Sequence, residues 1–577
     1  METTKQSKLK WNTWQMIDWK QVDLQVFKLQ KRIYRATQKN ELPKVRKLQK
    51  MMTSSMFAKL LAVRKVTQEN KGKKTAGIDG VKSLNPKERF TLAQNLKLNG
   101  KSSSTRRIWI PKSNAEKRPL SIPTIQERAK QTLLKLALEP EWEARFEPHS
   151  YGFRPGRSPH DAVKAIFCCI NKKPKYVLDA DISKCFDKIN HQYLLDKLNT
   201  SPTFSRQIKA WLKAGVIDFS ERAERKGHNP THSGTPQGGS ISPLLANIAL
   251  HGLENFIAEH YPSNTDRRLK HSRRDYGRRI QAPRLIRYAD DFVILCEELA
   301  PIEHCKSLVE NWLRESDLEL HPSKTRIVHT LQKHHDQKPG FNFLGFEIRQ
   351  FEVGKHQSGN LNGKKLGFKT IIQPSKESID RHYQTLKATC IKHRALSAGA
   401  LISNLNPIIR GWCNYQSPWH ASKSFSKVKD LLWKRLWRWA KRRHPKKKLP
   451  WIKKKYFGTK QRRWAFVHRT KEAEYRLLYH SDFPKSVKWI QVRGGKSPFD
   501  GDELYWSRRI GDKYKTYDPQ KARLLKKQKG RCEHCGLSFN PDDIIEKHHL
   551  KPKVKGGSNA DKNLILVHLY CHDQIHA

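Results

Sequence analysis

Two short acidic clusters stand out in this sequence of 577 residues, because Lys and Arg together number 114 whereas Asp and Glu number only 54. Asp181 follows the apolar run at Tyr176–Leu178, and Asp290-Asp291 lies directly before the apolar run Phe292–Leu295. An Asp-Asp pair between β-type residues is typical of a hairpin turn. Mg²⁺ prefers oxygen ligands of this kind, and two such ions can hold the attacking and leaving oxygens of a phosphoryl transfer. We therefore expect Asp181, Asp290 and Asp291 to form a two-metal site; the alternative for the pair alone is a solvated turn.

A Cys/His pattern occupies the C-terminal end of the sequence. Cys532 and Cys535 form a Cys-x-x-Cys pair, and His568 and Cys571 follow after a gap of about 30 residues. Three Cys and one His at such spacings suit a closed tetrahedral Zn²⁺ site. A module of about 50 residues has little core of its own, so the metal would supply much of its folding energy.

The charge balance predicts a polyanionic partner. The formal net charge is +60, and self-repulsion at that charge opposes compactness unless a partner such as nucleic acid neutralises it. Ten Cys are too few for a secreted disulfide scaffold, and no uninterrupted apolar stretch is long enough for a membrane span. The N-terminus also lacks the apolar core of a signal peptide. These features favour a soluble intracellular protein that binds nucleic acid and is not secreted.

The hydrophobic patterning predicts several structural regions. Apolar residues recur at helical spacing near the N-terminus, short strand-like and helical segments then alternate, and a basic helical segment follows. We expect strands at 107–111, 176–178 and 292–295, and helices at 124–138 and 243–259. The predicted domains are an N-terminal extension with the start of the next domain, a mixed α/β domain, a helical domain, a basic region and a small Cys/His module. Their ranges are 1–95, 96–355, 356–455, 456–525 and 526–577.

The basic helical segment combines an apolar stripe with cations. Its apolar residues lie at i, i+3, i+4 and i+7, and they are Trp433, Leu436, Trp437 and Ala440. The other faces carry Lys434, Arg435, Arg438, Lys441 and Arg442. We expect the stripe to face a helical bundle and the cations to meet RNA phosphates, with aromatic and Arg side chains stacking on unpaired bases. The alternative is a solvated charged face.

The acidic clusters also belong to a longer series of motifs that resembles the reverse transcriptases encoded by group II introns. The Tyr-Ala-Asp-Asp box at 288–291 is the palm signature of that family, and Asp181 followed by Phe186 fits its first palm motif. Five further blocks match in order: Lys117–Pro123, Tyr151–Ser158, Ser233–Pro243, His321–Thr325 and Phe341–Phe346.

The resemblance implies a multidomain α/β protein with a right-hand polymerase: fingers, and a palm with an antiparallel sheet. Asp181, Asp290 and Asp291 would hold two Mg²⁺ ions. Phe186 would exclude a 2′-OH from the incoming nucleotide, or else be an ordinary core residue. Gln237 and Gly238 would line the nascent base pair. Lys112 and Arg118 would contact the triphosphate of the incoming nucleotide, and Lys324 would neutralise or protonate the leaving pyrophosphate.

The segment after the palm resembles the α-helical thumb of the family, called the maturase domain because it binds the parent intron RNA. The motif Arg410-Gly411-Trp412 and the helix around Trp433 carry this resemblance. The implied RNA-binding residues are Arg410, Lys434, Arg435, Arg438 and Arg442.

The C-terminal module resembles the HNH nucleases, which have a ββα-metal fold. His549 would then be the general base, and Asn563 would orient it. His548, His572 and His576 would hold one divalent catalytic cation, with Mg²⁺ favoured, beside the structural Zn²⁺ at Cys532, Cys535, His568 and Cys571. The alternative is a purely structural zinc module that binds DNA.

Together, these resemblances predict a multifunctional intron-encoded enzyme, located in a bacterial cytoplasm or an organellar matrix. It would be an RNA-directed DNA polymerase that binds its intron RNA, assists splicing and supports homing by target-primed reverse transcription. The HNH module would nick the second DNA strand, and the basic region at 456–525 would hold the target DNA. Its partners would be intron RNA, target DNA and dNTPs, with no membrane. The alternatives are a reverse transcriptase–nuclease fusion unrelated to introns, and a splicing cofactor whose catalytic sites are inactive.

Overall fold

The computed structural model describes residues 11–111, 117–218, 231–261, 282–458, 464–470, 474–484 and 487–576. No helix within these ranges is both long and apolar enough to cross a membrane. The helices are α1 Trp19–Gln38, α2 Leu42–Ser54, α3 Met56–Arg64, α4 Pro86–Asn95, α5 Ile125–Glu143, α6 Pro159–Ile170, α7 Cys185–Lys188, α8 His191–Leu198, α9 Pro202–Leu212, α10 Ser242–Ala249, α11 Leu253–His260, α12 Leu299–Arg314, α13 Lys376–Lys392, α14 Ala398–Gln416, α15 Ser422–Arg443, α16 Leu449–Tyr456, α17 Glu503–Tyr517, α18 Pro519–Lys527 and α19 Leu569–Ile575. The strands are β1 Thr105–Pro111, β2 Lys117–Ile122, β3 Tyr176–Asp181, β4 Val216–Asp218, β5 Arg284–Tyr288, β6 Asp291–Cys296, β7 Arg326–His329, β8 Phe341–Phe343, β9 Phe346–Glu352, β10 Asn360–Leu361, β11 Lys364–Lys365, β12 Phe368–Pro374, β13 Val467–Arg469, β14 Glu474–Arg476, β15 Ile545–His549 and β16 Leu564–His568.

An N-terminal helical layer packs on α5. In α1, the apolar residues Val22, Val26 and Ile33 recur at helical spacing and are fully or almost fully buried. The Asp18 carboxylate caps the helix by accepting the Gln21 amide. The prediction that the chain is helical before about residue 95 is therefore confirmed over the described residues.

A four-stranded antiparallel sheet forms the centre of the mixed α/β region, with strand order β5-β6-β3-β7. The residues of β6 after Asp291 are all buried, as expected for a strand covered on both faces. Helices α6 and α12 pack against this sheet. Two three-stranded sheets flank it, β2-β1-β4 and β12-β9-β8.

The predicted helix at 243–259 is two helices. The chain turns after α10, and the buried carboxylate of Glu147 accepts the amides of Gly252 and Glu254 at 2.7 and 3.1 Å. Glu147 therefore caps the N-terminus of α11 from a distant part of the chain, which the local apolar spacing does not reveal.

Helices α13 to α16 form a bundle with a hydrophobic core of its own. Its buried residues include Leu386, Leu405, Val428 and Leu436. The predicted change to a helical region is confirmed, and the small hairpin β13–β14 packs against α14.

Residues 487–509, which we call the strap, pack on the N-terminus of α6. The buried carboxylate of Asp161 accepts the Trp489 indole N–H and the Val492 amide, and it forms an ion pair with Arg509 at 2.7 Å. Trp506 lies against Gly156 in the loop before α6. Part of the region predicted to hold DNA is therefore used to brace the α/β region.

The C-terminal module shares one continuous hydrophobic core with the N-terminal helices. The buried guanidinium of Arg64 lies over the rings of Trp19 and Tyr570, at 4.7 and 4.0 Å from their centroids. Asp23 and Glu69 neutralise it through ion pairs at 3.0 and 2.7 Å. The module is thus packed against the N-terminal helices, with Arg64 at the contact.

Candidate active sites

Strand register brings the predicted aspartates to one edge of the central sheet. Asp181 at the end of β3 lies directly opposite Asp291 at the start of β6. Asp290 lies in the tight turn between β5 and β6, where Ala289 has φ +58°. Gly152 supports this turn from behind, since a Cβ there would lie 2.3 Å from the Ala289 amide nitrogen. Glycine is therefore required at position 152 for the turn to pack so closely.

The ionised forms of the carboxylates at this edge are disfavoured by burial and by mutual repulsion. Burial raises the pKa of Asp291 to about 7, and repulsion from Asp290 and Asp181 adds to the rise. Burial also raises the pKa of Asp290. The Lys324 ammonium lies 2.5 Å from Asp181 Oδ2 and supplies one positive charge. The carboxylates of Asp181, Asp290 and Asp291 are oxygen donors of the kind that hard divalent cations prefer, and bound cations would relieve their mutual repulsion.

A cavity of about 380 Å³ opens beside these groups, with Asp181, Asp291 and Lys324 in its wall. In the described part of the chain, two groups of possible metal ligands converge to within 4.8 Å, and both lie in the C-terminal module. Asp181, Asp290 and Asp291 do not form a third such group among these residues.

A chain of hydrogen bonds lines the side of this site formed by β2. Arg118 Nε donates to Gln237 Oε1 at 2.7 Å, and Gln237 Nε2 donates to Asp187 Oδ1 at 2.8 Å. Gly238 has φ +124°, and a Cβ there would lie 2.5 Å from the Ser121 carbonyl oxygen. The structure therefore brings Arg118, Gln237 and Gly238 together, whereas Lys112 lies outside the described residues.

Phe186 lies on α7 beside this group and is 9% exposed. Its ring meets Phe153 edge to face, with centroids 6.2 Å apart. Phe153 has φ +57°, which is unusual for an aromatic residue, and it remains 49% exposed. The sequence contained Phe153 within a matching block, but gave no sign that it contacts Phe186.

The predicted basic face lies on α14 and α15. Leu436 and Ala440 are fully buried, while Trp433 and Trp437 are half-buried against the same core. The predicted RNA-binding cations are exposed except for Arg435, which is half-buried; the exposed ones are Arg410, Lys434, Arg438 and Arg442. The predicted division into an apolar stripe and cationic faces therefore agrees with the burial of α15.

The four predicted zinc ligands converge in the C-terminal module. Cys532, Cys535, His568 and Cys571 are all buried, and their ligand atoms lie within 4.8 Å of one another. The second ring nitrogen of His568 meets Asp543 Oδ2 at 3.2 Å, an arrangement that orients a ligating imidazole. Three soft sulfur donors and one imidazole fit a tetrahedral Zn²⁺ site.

A second group of possible ligands consists of His548 on β15 and two histidines at the C-terminal end, His572 and His576. Burial and the neighbouring histidines lower the pKa of His548, which favours the neutral imidazole that binds metals. Glu546 Oε2 contacts His572 Nδ1 at 3.0 Å. This group fits one divalent cation separate from the Cys/His group.

The structure differs from the prediction at the neighbour of His549. Nε2 of His549 lies 2.9 Å from Asn559 Oδ1, whereas Asn563 bonds to the backbone of Lys551 and Ser558. Asn563 therefore closes the loop between β15 and β16, and Asn559 is the side chain that contacts His549. Both asparagines lie in the same loop, so sequence spacing could not distinguish between these roles.

Comparison with known families matches four parts of the chain. Residues 110–348 match "Reverse transcriptase (RNA-dependent DNA polymerase)", and residues 14–96 match "N-terminal domain of reverse transcriptase". Residues 379–457 match "Group II intron, maturase-specific domain", and residues 532–577 match "HNH endonuclease".

Two curated proteins share 30% identity with the chain. Protein YkfC of Escherichia coli strain K12 aligns over 338 residues, which cover 53% of this chain and 83% of YkfC. The group II intron-encoded protein LtrA of Lactococcus lactis subsp. cremoris aligns over 417 residues, which cover 60% of this chain and 66% of LtrA.

The chain belongs to the family of group II intron-encoded proteins. A further relative is an uncharacterized 91 kDa protein in the cob intron of Schizosaccharomyces pombe, which is 28% identical over 56% of this chain and 44% of its own length. This intron-encoded protein thus combines an RNA-directed DNA polymerase domain, a maturase-specific domain and an HNH endonuclease domain. The predicted family, function and enzyme class are confirmed, and the fold is mixed α/β with small sheets.

Proposed function

We propose that this intron-encoded protein copies its intron RNA into DNA, assists splicing of that RNA and cuts the second strand of the target DNA. The observation that carries the proposal is the register of β3 and β6, which sets Asp181 against Asp291 with Asp290 in the adjoining turn. The same chain carries His549 beside a group of three histidines. Synthesis and strand cleavage therefore have separate candidate sites.

The polymerase step uses the aspartate edge of the central sheet. Two bound Mg²⁺ ions would there stabilise the charge on the attacking 3′-hydroxyl and on the leaving pyrophosphate. Asp181, Asp290 and Asp291 would hold them, and Lys324 would neutralise or protonate the pyrophosphate. Lys112 and Arg118 contact the triphosphate as fixed cations.

The nascent base pair lies against Gln237 and Gly238, because a residue without a Cβ permits close approach of the backbone. Phe186 excludes the 2′-hydroxyl of the incoming nucleotide. Its contact with Phe153 supports this assignment, since the second ring limits how far Phe186 can withdraw.

Intron RNA binds the exposed cations of α14 and α15. The proposed contacts are Arg410, Lys434, Arg435, Arg438 and Arg442, which meet phosphates in a sequence-independent manner. RNA held there keeps the template close to the polymerase site, and the RNA itself performs the splicing chemistry.

The nuclease step uses the loop between β15 and β16. His549 removes a proton from the attacking water, and Asn559, with Asn563 holding the loop, orients the imidazole. A divalent cation held by the imidazoles of His548, His572 and His576 would stabilise the charged phosphate. A structural Zn²⁺ held by Cys532, Cys535, His568 and Cys571 would stabilise the folded module.

The proposed domain boundaries follow these roles. Fingers and palm occupy 96–355 after the N-terminal extension at 1–95, and the thumb or maturase domain occupies 356–455. Region 456–525 contacts target DNA through surfaces that remain exposed beside the strap, and the HNH module occupies 526–577.

The experiment is a combined nicking and extension assay with the ribonucleoprotein and a DNA duplex that carries the ligated exon junction. The wild type should insert the intron RNA into one strand, nick the other and extend the new 3′-end. His549→Ala should lose second-strand nicking by about 10²- to 10⁴-fold, as is typical for loss of a general base. It should still extend a primer annealed to RNA.

If wild-type protein promotes splicing but neither nicks nor extends, the chain is a splicing cofactor with inactive sites. If it copies RNA with no preference for its own intron RNA, the alternative of an intron-independent fusion is correct. Either result would refute the proposed multifunctional role.

A further inference from the structure

An aromatic groove of about 610 Å³ opens on the bundle, away from the aspartate edge. Its wall comes from α15, the segment at 464–465 and the segment at 479–481, and it includes Asp430, Trp433, Trp464 and Tyr479. This volume is within the usual range for sites that accept a small planar ligand.

Two indole rings form a right-angled corner in this groove. The planes of Trp433 and Trp464 meet at 88°, with centroids 5.6 Å apart. Trp437 stacks parallel to Trp433 and also meets Trp464 edge to face. Trp464 is nevertheless 41% exposed. A planar group can therefore stack on one indole while its edge meets the other.

The position of Trp464 is held by the backbone around it. The Tyr479 hydroxyl donates to the Trp464 carbonyl at 2.6 Å and accepts the Phe466 amide at 2.9 Å. These bonds connect Tyr479 to the backbone at 464–466, so the backbone that carries the exposed Trp464 indole is held in place.

Lysines beside the groove favour an anionic ligand, and the carboxylate in its wall favours a ligand with hydrogen-bond donors along one edge. Eighteen Lys and Arg lie between Ala421 and Trp464, and Asp430 is the single acid in that stretch. Lys453 Nζ lies 4.5 Å from the centre of the Trp464 ring, and Lys434 is one helical turn from Asp430. The one carboxylate of this basic stretch thus lies in the wall of its aromatic groove, where its Oδ1 is 3.5 Å from Lys429 Nζ and its side chain is 64% exposed.

We propose that this groove binds a single unpaired guanine of the intron RNA. The base stacks in the corner between Trp433 and Trp464, and the Asp430 carboxylate accepts its N1–H and 2-amino hydrogens. Lys434 and Lys453 meet the flanking phosphates. Stacking of a splayed-out base on an aromatic side chain, with readout of its Watson–Crick edge, is a common form of RNA recognition.

Guanine is favoured over the other bases by the donor pattern. A carboxylate has only acceptor atoms, and guanine offers it two adjacent donors, so the pair forms two parallel hydrogen bonds. Adenine and cytosine offer one amino group on that edge, and uracil offers one imino hydrogen. The inference rests on the proposed RNA binding by α14 and α15 and adds a base-specific site to it.

The test compares RNA hairpins that differ in one bulged nucleotide, with the full-length protein in every case. Wild type should bind the bulged guanosine more tightly than bulged inosine, which lacks the 2-amino group, and more tightly than adenosine or uridine. Trp464→Ala should weaken binding to the guanosine hairpin by about tenfold or more, the usual effect of losing one aromatic stack. Trp464→Phe should retain most of the affinity.

Trp451→Ala is the matched control, because Trp451 is 38% exposed and lies near Lys447 and Lys455 but outside the groove. It should change the affinity for the guanosine hairpin much less than Trp464→Ala does. Asp430→Asn should remove the preference for guanosine over inosine, since the amide has only one acceptor atom. Asp430 is exposed, so this variant should fold normally.

Equal losses in the Trp464→Ala and Trp451→Ala variants, or no preference for guanosine in the wild type, would overturn the guanine site. If that occurs while binding of intron RNA stays tight and sensitive to salt, the proposed RNA-binding surface still holds. If the wild type does not bind intron RNA at all, the proposed function itself has failed.

Discussion

Replacing Asp161 with asparagine should release the strap from the α/β region. The Asp161 side chain is fully buried and its two oxygens accept bonds from Ser158, Trp489, Val492 and Arg509. The asparagine side chain has no charge and only one acceptor oxygen. Its NH₂ group would replace the second oxygen and face hydrogen-bond donors, with which it cannot bond. The guanidinium of Arg509, which is 13% exposed, would then lack its anionic partner.

The magnitude follows from this burial. Removing one partner of a buried ion pair usually costs about 3–5 kcal/mol, because the other charge stays desolvated. Since about 1.4 kcal/mol changes an equilibrium constant tenfold, the opening of the strap should become about 10²- to 4 × 10³-fold more frequent.

Hydrogen exchange measures this opening directly. The Val492 amide and the amides of α17 should exchange faster in Asp161→Asn by that factor, while amides of β6 should change little. Asp561→Asn is the control, because its ion pair with Arg523 has a similar length of 2.8 Å but is solvent-exposed. Strap exchange that is unchanged, or that changes equally in both variants, would refute the proposed role of Asp161.

Three further changes test separate parts of the account. Phe186→Ala should raise ribonucleotide incorporation, measured as the ratio of ribonucleotide to deoxyribonucleotide efficiencies, and an unchanged ratio would exclude Phe186 as the steric gate. Each phosphate contact adds about −0.7 to −0.9 to the slope of log K against log salt for RNA binding. That slope should become shallower when alanine replaces Lys434, Arg435, Arg438 and Arg442; an unchanged slope would argue against this surface. Cys532→Ser should release bound zinc, measured by elemental analysis, and make the C-terminal module sensitive to protease. Because the module and the N-terminal helices share a core, protease should also cut faster near Arg64, and undiminished zinc content would contradict the ligand assignment.

Sequence patterns predicted the features that depend on local spacing. Asp290 and Asp291 follow from a strand–turn–strand pattern, and the four-residue spacing of His572 and His576 predicted that these side chains lie close together, as they do at the end of α19. The Cys-x-x-Cys pair likewise marked the position of the Cys/His group, which the structure brings together.

The features that sequence could not predict depend on partners far apart in the chain. Asp161 looks like an ordinary residue of a helix N-terminus, yet its partner Arg509 is 348 residues away. Arg64 is one of many basic residues, and only its burial between two aromatic rings distinguishes it. Asn559 and Asn563 lie four residues apart in one loop, so only the folded loop identifies which of them contacts His549.

Primer extension on an RNA template by Asp290→Asn is the most direct test of the central claim. The neutral amide is a poorer ligand for a hard cation, so cDNA synthesis should fall to background, while RNA binding through α14 and α15 is retained. Asp336→Asn changes a fully exposed carboxylate and should extend the primer at the wild-type rate. Near wild-type extension by Asp290→Asn would contradict the assignment of the aspartate edge as the polymerase site.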